Sequence, residues 1–252
     1  MKVKILGING SHRKGRRNTV YMLEAAMEEA EKQGDVDTEI IHLYDKDIKY
    51  CVHCDACVGN YKREAREENL GFYSEGRKRH PGHALHGCVI KDDCQEIFQK
   101  IEEAHAVIFG TPVYILGMTS RLKALIDRMR YMVHHSCLRW TVGAALSQAY
   151  YPLGGQETTL ADIIFAMRAL NMIVSGYGMG ATGISGPFFV GGPTPWEDDG
   201  KVAAVANDNK WSLKTSRWTG SNVAQLAKVV QLGLASTPKE EFEAYWPQPH
   251  VG

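Results

Sequence analysis

The chain has 252 residues, of which 44% are apolar, and its 29 Lys and Arg residues balance 29 Asp and Glu residues. This length suits one sizeable α/β domain, and a neutral chain has no overall field that attracts nucleic acid or an anionic membrane. The opening apolar run is too short for a signal peptide, and no window approaches 18 uncharged apolar residues. We therefore expect a cytoplasmic protein without a nucleic-acid or membrane partner.

Strands and helices are predicted to alternate along the chain. Five apolar runs predict strands at residues 3–9, 38–44, 105–113, 141–149 and 172–176. Apolar residues at helical spacing predict helices at 18–32, 120–132, 157–170 and about 221–234. Asp93 with Glu96 forms a possible capping box for a further helix that contains Ile97, Phe98 and Ile101. This alternation predicts a single domain with a parallel sheet covered by helices on both faces.

Two stretches interrupt this alternation. Residues 58–87 are charged and contain Gly and Pro, and residues 186–220 are rich in Gly, Pro, Asp, Asn and Trp. We interpret both as insertions or extended loops at the rim of the sheet, the second within a C-terminal extension, 186–252, that includes the last helix. The basic run 77–79 in the first insertion is either a solvated surface or a docking surface for a nucleotide phosphate or a redox partner.

The stretch GINGSHRKGRRNT, residues 7–19, joins the first strand to the first helix. A helix N-terminus offers free amides and a dipole that favours an anion. Ser11, Asn18 and Thr19 add side-chain donors, and Arg13 or Arg17 adds charge. The pattern is neither G-x-G-x-x-G nor G-x-x-x-x-G-K-[ST], so the common nucleotide fingerprints are absent. The loop is therefore interpreted as a phosphate site, with a plain polar surface loop as the alternative.

Two further loops follow the third and fourth strands. TPVYILGMTSRLKALIDR, residues 111–128, offers backbone amides and an aromatic ring for a flat ligand, and YPLGGQETT, residues 151–159, forms a glycine-rich turn. Ligands of open parallel sheets bind outside the carboxyl ends of the strands. A phosphate at the first loop and a planar ring between the other two describe a site for flavin mononucleotide (FMN).

Together, the three segments resemble the flavodoxin-like NADPH-dependent FMN reductase family over most of residues 1–180. The resemblance implies a doubly wound, five-stranded parallel sheet of order 2-1-3-4-5 and bound FMN. It implies that the phosphate is held by Ser11, Arg13, Asn18 and Thr19. The ribityl chain and ring would be lined by Thr111, Pro112, Val113, Tyr114 and Gly117. The other side of the ring would be closed by Gly154, Gly155, Gln156 and Glu157. Alternatively, Tyr114 serves only packing and Glu157 only the first turn of its helix.

Three cysteines, Cys51, Cys54 and Cys57, have C-x2-C-x2-C spacing, which lets one compact loop wrap three corners of a cubane. Six cysteines without a secretory signal favour metal, cluster or thiol chemistry over disulfides. The arrangement resembles the iron-sulfur flavoprotein branch of the same family, which binds a [4Fe-4S] cluster. By that resemblance Cys88, in GCVIKDD, is the expected fourth ligand and Cys94 the second choice. A structural zinc ion and unligated thiols are the alternatives.

These cofactors imply conversion between two-electron and one-electron transfer. We expect an oxidoreductase whose FMN is reduced by NAD(P)H or a reduced ferredoxin, and which exchanges electrons through the cluster with a protein partner or a small acceptor. No residue is required as a general acid or base. The alternatives are a non-enzymatic electron carrier like flavodoxin and a redox sensor. The resemblance also suggests a homodimer or homotetramer.

Overall fold

The computed structural model describes residues 2–54, 57, 88–134, 136–150, 154–175, 181–184, 205 and 212–238. The predicted insertion at 58–87, with its basic run, lies outside the described residues. So do residues 151–153 of the second glycine-rich turn and most of the stretch between 185 and 211.

A parallel sheet forms the centre of the molecule. Its strands are β1 (Val3–Asn9), β2 (Val36–His42), β3 (Ala106–Pro112), β4 (Val142–Ala149), β5 (Ile173–Val174) and β6 (Ala181–Ile184). Neighbouring strands are parallel and follow the order β2-β1-β3-β4-β5, which confirms the predicted topology. β6 is an addition to the prediction. It pairs with the second half of β4, whereas β5 pairs with Val142 and Gly143, so two short strands share one edge of β4.

The central strands are mostly apolar because both of their faces are covered. All residues of β3 and β4 are buried, and only Lys4 of β1 is exposed. β2 lies at the edge of the sheet and alternates between buried and more exposed positions. This difference explains why the central strands could be recognised from continuous apolar runs.

Helices cover both faces of the sheet. They are α1 (Asn18–Glu31), α2 (Cys94–Glu103), α3 (Ser120–Arg128), α4 (Arg130–His134), α5 (Gln156–Ala169) and α6 (Ser212–Ser236). One core contains residues of α1 and α6, such as Leu23 and Val223. The opposite core contains residues of α2, α3 and α5, such as Phe98, Leu122 and Ile163. The sheet is therefore doubly wound. No helix in the described ranges has the length and apolar character needed to cross a membrane.

The helix predicted for 221–234 begins much earlier, at Ser212. Residues 212–220, predicted as part of a rim loop, are therefore helical, and that part of the prediction is wrong. The helical signal was hidden by Ser, Thr and Gly residues. Ser216 donates to the Ser212 carbonyl at 2.7 Å, which satisfies its hydroxyl within the helix. Gly220 lies against α1, since a Cβ there would be 1.9 Å from the Ala26 carbonyl oxygen.

Other details also differ from the predictions, and β5 is shorter than the predicted strand at 172–176. β2 starts and ends two residues early and is followed by a 3-10 turn at Leu43–Asp45. The helix predicted for 120–132 is interrupted at Met129, where ψ is 8°. The capping box at α2 is wrong, because Asp93 makes no side-chain cap and its carboxylate accepts the Asp47 N–H at 2.7 Å instead.

Candidate functional site

Three loops leave neighbouring carboxyl ends of the sheet. They follow β1, β3 and β4, and are called the first, third and fourth loops after these strands. Backbone hydrogen bonds join their starting points. Gly10 N donates to Gly110 O at 2.7 Å, and Val113 N donates to Gln148 O at 2.8 Å. The loops predicted to surround a ligand are therefore held side by side at one edge.

The first loop is shaped by its own side chains. The Ser11 N–H donates to Asn9 Oδ1 at 3.1 Å, and the Arg13 N–H donates to Ser11 Oγ at 3.2 Å. Asn9 Nδ2 in turn lies 3.0 Å from Nδ1 of His42. Ser11 is buried, so its hydroxyl has a fixed place at the mouth of the loop.

The N-terminus of α1 retains unsatisfied polar groups. Arg17 occupies the cap position without a side-chain cap, which leaves the first amides of the helix open. Asn18 Oδ1 is buried without a hydrogen-bond partner. Because an amide flip exchanges its oxygen and nitrogen, this end of Asn18 can present a donor to an anion. The donor chemistry of this loop therefore fits a phosphate.

The other polar residues of this segment differ in their surroundings. Within the described part of the chain, exposed Arg13 and Arg17 form no ion pair. Arg16 instead pairs with Glu24 at 2.6 Å on the outer face of α1. Thr19 is buried with its methyl group against β3, because a Cβ on Gly110 would lie 3.1 Å from Thr19 Cγ2. The two exposed arginines thus keep their charge available to a ligand.

Thr119 joins the first loop to the third, and the sequence interpretation gave it no role. As the cap of α3 it accepts the Leu122 N–H at 3.3 Å, and it donates its hydroxyl proton to Gly10 O at 2.6 Å. The Thr119 N–H donates to Thr111 Oγ1 at 3.3 Å, and the Thr111 hydroxyl donates to Pro112 O at 2.9 Å. The signal was present, since Thr directly before an apolar helix is a favoured N-cap.

A tight turn at residues 114–117 forms the tip of the third loop. Tyr114 and Gly117 exchange two backbone hydrogen bonds, of 2.9 and 3.2 Å. Between them, Ile115 and Leu116 have φ angles of 48° and 60°, so a β-branched residue occupies the left-handed region. Ile115 is 99% exposed. Strain of this kind is typical of binding loops that the surrounding structure holds in place.

Tyr114 stacks on His12, which was also not assigned a role. Their ring centroids are 5.6 Å apart and their planes differ by 18°. Burial, and to a lesser extent the charge of Arg121, lowers the pKa of His12, which favours the neutral imidazole. The stack links the loop predicted to hold a phosphate to the loop predicted to hold a flat ring.

Gly155 brings the fourth loop into contact with the third. Its φ is 100°, and a Cβ there would lie 2.7 Å from Leu116 Cα and 3.1 Å from Val113 Cγ1. The Thr158 hydroxyl donates to the Leu116 carbonyl at 2.8 Å and fixes the same approach. Gln156 is buried and Glu157 exposed at the start of α5, and Gly154 is half-buried. Only glycine fits position 155 without moving a loop.

A separate pocket brings the cysteines together. It is lined by Cys51, Cys54, Cys57 and Cys88, with Arg128 and Arg130 among its other lining residues. Cys94 is fully buried in the core at the start of α2. Among the described residues, no three His, Cys, Asp or Glu side chains are arranged to hold a metal ion. The four thiols therefore share a pocket but not a coordination geometry, and as a donor set they suit a thiolate-bound cluster.

Burial governs the protonation of two cysteines. It raises the pKa of Cys57 to about 11; Arg130 opposes this rise, and the neighbouring cysteines add to it. Burial also raises the pKa of Cys94 to about 12; Arg128 opposes that rise and Asp92 adds to it. Both groups are therefore neutral thiols at physiological pH.

A buried ion pair adjoins the cysteine pocket, and no role was predicted for either partner. Arg128, the last residue of α3, pairs with Asp92, and both side chains are completely buried. Burial opposes ionisation of Asp92, but hydrogen bonds from Arg128, the Lys49 N–H and the Cys94 N–H outweigh it and lower the pKa of its carboxyl. The sequence interpretation included Arg128 only as part of the segment after β3.

This doubly wound parallel sheet, with strand order β2-β1-β3-β4-β5, defines a flavodoxin-like protein. Solved structures share the fold: RosB with a bound riboflavin-phosphate intermediate has a TM-score of 0.63 at 18% identity, covering 96% of this chain and 86% of RosB. A WrbA-like flavodoxin from Agrobacterium tumefaciens has a TM-score of 0.51 at 16% identity, covering 91% and 99%. At these identities the likeness shows the fold alone.

Sequence relatives give the family. Residues 3–183 match the NADPH-dependent FMN reductase family. The chain is 30% identical to an iron-sulfur flavoprotein of Methanocaldococcus jannaschii over 91% of this chain and 100% of that protein. It is 38% identical to an iron-sulfur flavoprotein of Archaeoglobus fulgidus over 69% and 73%. The chain therefore belongs to the NADPH-dependent FMN reductase family, in its iron-sulfur flavoprotein branch, and is an oxidoreductase of that class.

Proposed function

We propose that the protein is an FMN-dependent oxidoreductase that passes electrons between NAD(P)H or a reduced ferredoxin and an acceptor through a [4Fe-4S] cluster. The observation that carries this proposal is the pocket shared by Cys51, Cys54, Cys57 and Cys88. The loops after β1, β3 and β4, which hydrogen bonds hold side by side, add support as the place of a nucleotide. The names of the relatives agree with a cofactor pair of this kind.

The FMN phosphate is assigned to the first loop. The Ser11 hydroxyl, the amides at the start of α1 and the unsatisfied end of Asn18 supply donors. Arg13 and Arg17 supply charge, and buried Thr19 fixes the helix against β3. The flat ring is assigned to the third and fourth loops. The third loop would contribute Thr111, Pro112, Val113, Tyr114 and Gly117, and the fourth would contribute Gly154, Gly155, Gln156 and Glu157.

The cluster is assigned to the four thiols of the pocket, with Cys88 as the fourth ligand. Two observations support Cys88 over Cys94. Cys88 lines the pocket with the other three cysteines, whereas Cys94 is 0% exposed in the core.

When bound, FMN exchanges electrons in pairs or singly and a [4Fe-4S] cluster exchanges them one at a time. Each NAD(P)H oxidised therefore supplies two electrons and reduces two one-electron acceptors or one two-electron acceptor. The chain's own residues bind, orient and shield: the Gly155 contact closes one side of the ring site, and the stack of Tyr114 on His12 closes another. A ferredoxin partner and a homodimer or homotetramer remain predictions.

The first experiment is an absorbance spectrum with iron, sulfide and zinc analysis of anaerobically purified protein, before and after addition of NADPH. We expect flavin bands, a broad iron-sulfur shoulder, about four irons per chain and bleaching by the nicotinamide. NADH and a reduced ferredoxin, tested in parallel, identify the donor. Zinc in place of iron contradicts the cluster but leaves an FMN reductase. Reduction without steady NAD(P)H consumption in the presence of quinone, nitro or oxygen acceptors indicates an electron carrier.

A further inference from the structure

Arg128 is a charged side chain without solvent contact at the wall of the cysteine pocket. Its Nη2 donates to Cys88 Sγ at 3.3 Å and to the Ile90 carbonyl at 3.2 Å. Its Nη1 donates to the Lys49 carbonyl at 3.2 Å and to the Asp92 carboxylate. The guanidinium is therefore fixed by two chain segments, one just before Cys51 and one just after Cys88.

Asp92 holds this guanidinium from the opposite side. Its carboxylate also accepts the Lys49 N–H at 2.9 Å and the Cys94 N–H at 3.0 Å. An unpaired buried charge is strongly destabilising, so Asp92 neutralises Arg128 and leaves its Nη2 donor directed at sulfur. An ion pair that only stabilised the fold would not require an N–H directed at one thiol of the pocket. The Nη2 donor to Cys88 therefore gives Arg128 a role beyond stability.

We propose that Arg128 is a positioning residue that orients Cys88 and raises the reduction potential of the iron-sulfur cluster through its N–H···S hydrogen bond. This inference rests on the proposed function, since it requires a cluster bound through Cys88. Hydrogen bonds to the ligand sulfurs are among the factors that set cluster potentials. The reduced cluster carries one more negative charge than the oxidised cluster, so a donor on a ligand sulfur stabilises the reduced form more.

The variant that separates the hydrogen bond from the charge is Arg128→Lys. A lysine ammonium keeps the charge next to Asp92, but it lacks the planar fork that reaches the carboxylate and the sulfur together. The matched control is Arg121→Lys on the same helix. Arg121 donates to the Leu43 and Lys46 carbonyls, at 2.8 and 2.5 Å, so it fixes a loop in the same manner with bonds directed at backbone carbonyls rather than at a thiol.

The measurement is an anaerobic redox titration of each protein, with the cluster followed by electron paramagnetic resonance and the flavin by absorbance. We expect Arg128→Lys to lower the ratio of reduced to oxidised cluster at a fixed potential about tenfold, a shift of about 59 mV for a one-electron couple. The flavin potential and the Arg121→Lys cluster potential should not change. An unchanged cluster potential in Arg128→Lys that still binds its iron overturns the inference while the proposed function stands. A wild-type protein that binds no iron overturns both.

A measurement on the unaltered side chain covers the case in which Arg128→Lys fails to fold. Protein labelled with 15N-arginine is reduced, and the coupling of the cluster's electron spin to 15N is measured by pulsed resonance. Because Arg130 also lines the pocket, the same experiment is made on Arg130→Lys. A 15N coupling that persists in Arg130→Lys supports the inference, and its absence from Arg130→Lys overturns it, whether or not the wild-type protein shows it.

Discussion

The Thr119 hydroxyl donates to the Gly10 carbonyl at 2.6 Å, across 109 residues of sequence. The same oxygen accepts the Leu122 N–H at the start of α3. One buried side chain therefore fixes the relative position of the loop assigned to the phosphate and the loop assigned to the flavin ring. The two halves of the proposed cofactor site are therefore joined through Thr119.

Replacement of Thr119 by Val should loosen this junction. The change keeps the shape but removes the helix cap and leaves the Gly10 carbonyl without its donor, so we expect a loss of about 2–3 kcal/mol in the free energy of unfolding. FMN affinity should fall about tenfold, because the two loops no longer share a fixed spacing. Urea unfolding and flavin fluorescence titration measure the two effects. Thr119→Ser keeps the hydroxyl and is the control; equal FMN affinity in both variants would contradict the proposed coupling.

Replacement of Gly155 by Ala should separate the third and fourth loops. The new methyl group would lie 2.7 Å from Leu116 Cα. In addition, the φ of Gly155 is 100°, a value that residues with a side chain rarely adopt. We expect a loss of about 1–3 kcal/mol in stability and weaker FMN binding. Gly233→Ala is the control, since a Cβ there meets nothing within 4 Å in α6, and it should stabilise the protein by about 0.5–1 kcal/mol. Wild-type FMN affinity in Gly155→Ala would remove Gly155 from the site.

The sheet could be predicted because its strands bear a simple signal. β1, β3 and β4 are covered on both faces and are therefore mostly apolar runs, which indicated where they lie in the chain. Their order in the sheet came from the family resemblance and not from these runs. β6 could not be predicted, because four residues that pair with only half of β4 have no pattern of their own. The first part of α6 was missed because its polar hydroxyls satisfy themselves on the helix backbone, as Ser216 does.

The site could be predicted at the level of loops but not of contacts. Ser11, Tyr114 and Gly155 stood out as residue types suited to phosphate, ring and close approach. Their partners depend on distant segments: His12 stacks on a residue 102 positions away in the chain, and Arg128 reaches Cys88 across 40 positions. Local sequence patterns carry no information on such pairs, since the tertiary fold alone brings them together.

The two candidate fourth ligands should differ in their effect on iron. Cys88→Ala removes a thiol that lines the pocket, so we expect loss of most of the iron and sulfide while FMN remains bound. Cys94→Ala removes a thiol from the core and should keep the iron, with a lower free energy of unfolding because of the cavity. Iron and flavin content of the anaerobically purified variants decides between them. Full iron in Cys88→Ala together with loss in Cys94→Ala would reverse the assignment.

Cys94 should make the stability of the protein sensitive to alkaline pH. Burial, reinforced by Asp92, raises the pKa of its thiol from 9.0 to about 12. A raised folded-state pKa contributes stability that is fully present below the unfolded value and is lost as the pH rises toward the folded value. In wild type this contribution is therefore complete up to about pH 9 and declines from there toward about pH 12. Cys94→Ala lacks this contribution. The wild-type advantage, which is the free energy of unfolding of wild type minus that of Cys94→Ala measured with urea, should therefore be constant between pH 7 and pH 8 and decrease steadily above pH 9. An advantage that stays constant through pH 11 would show that Cys94 ionises as freely in the folded protein as in the unfolded chain.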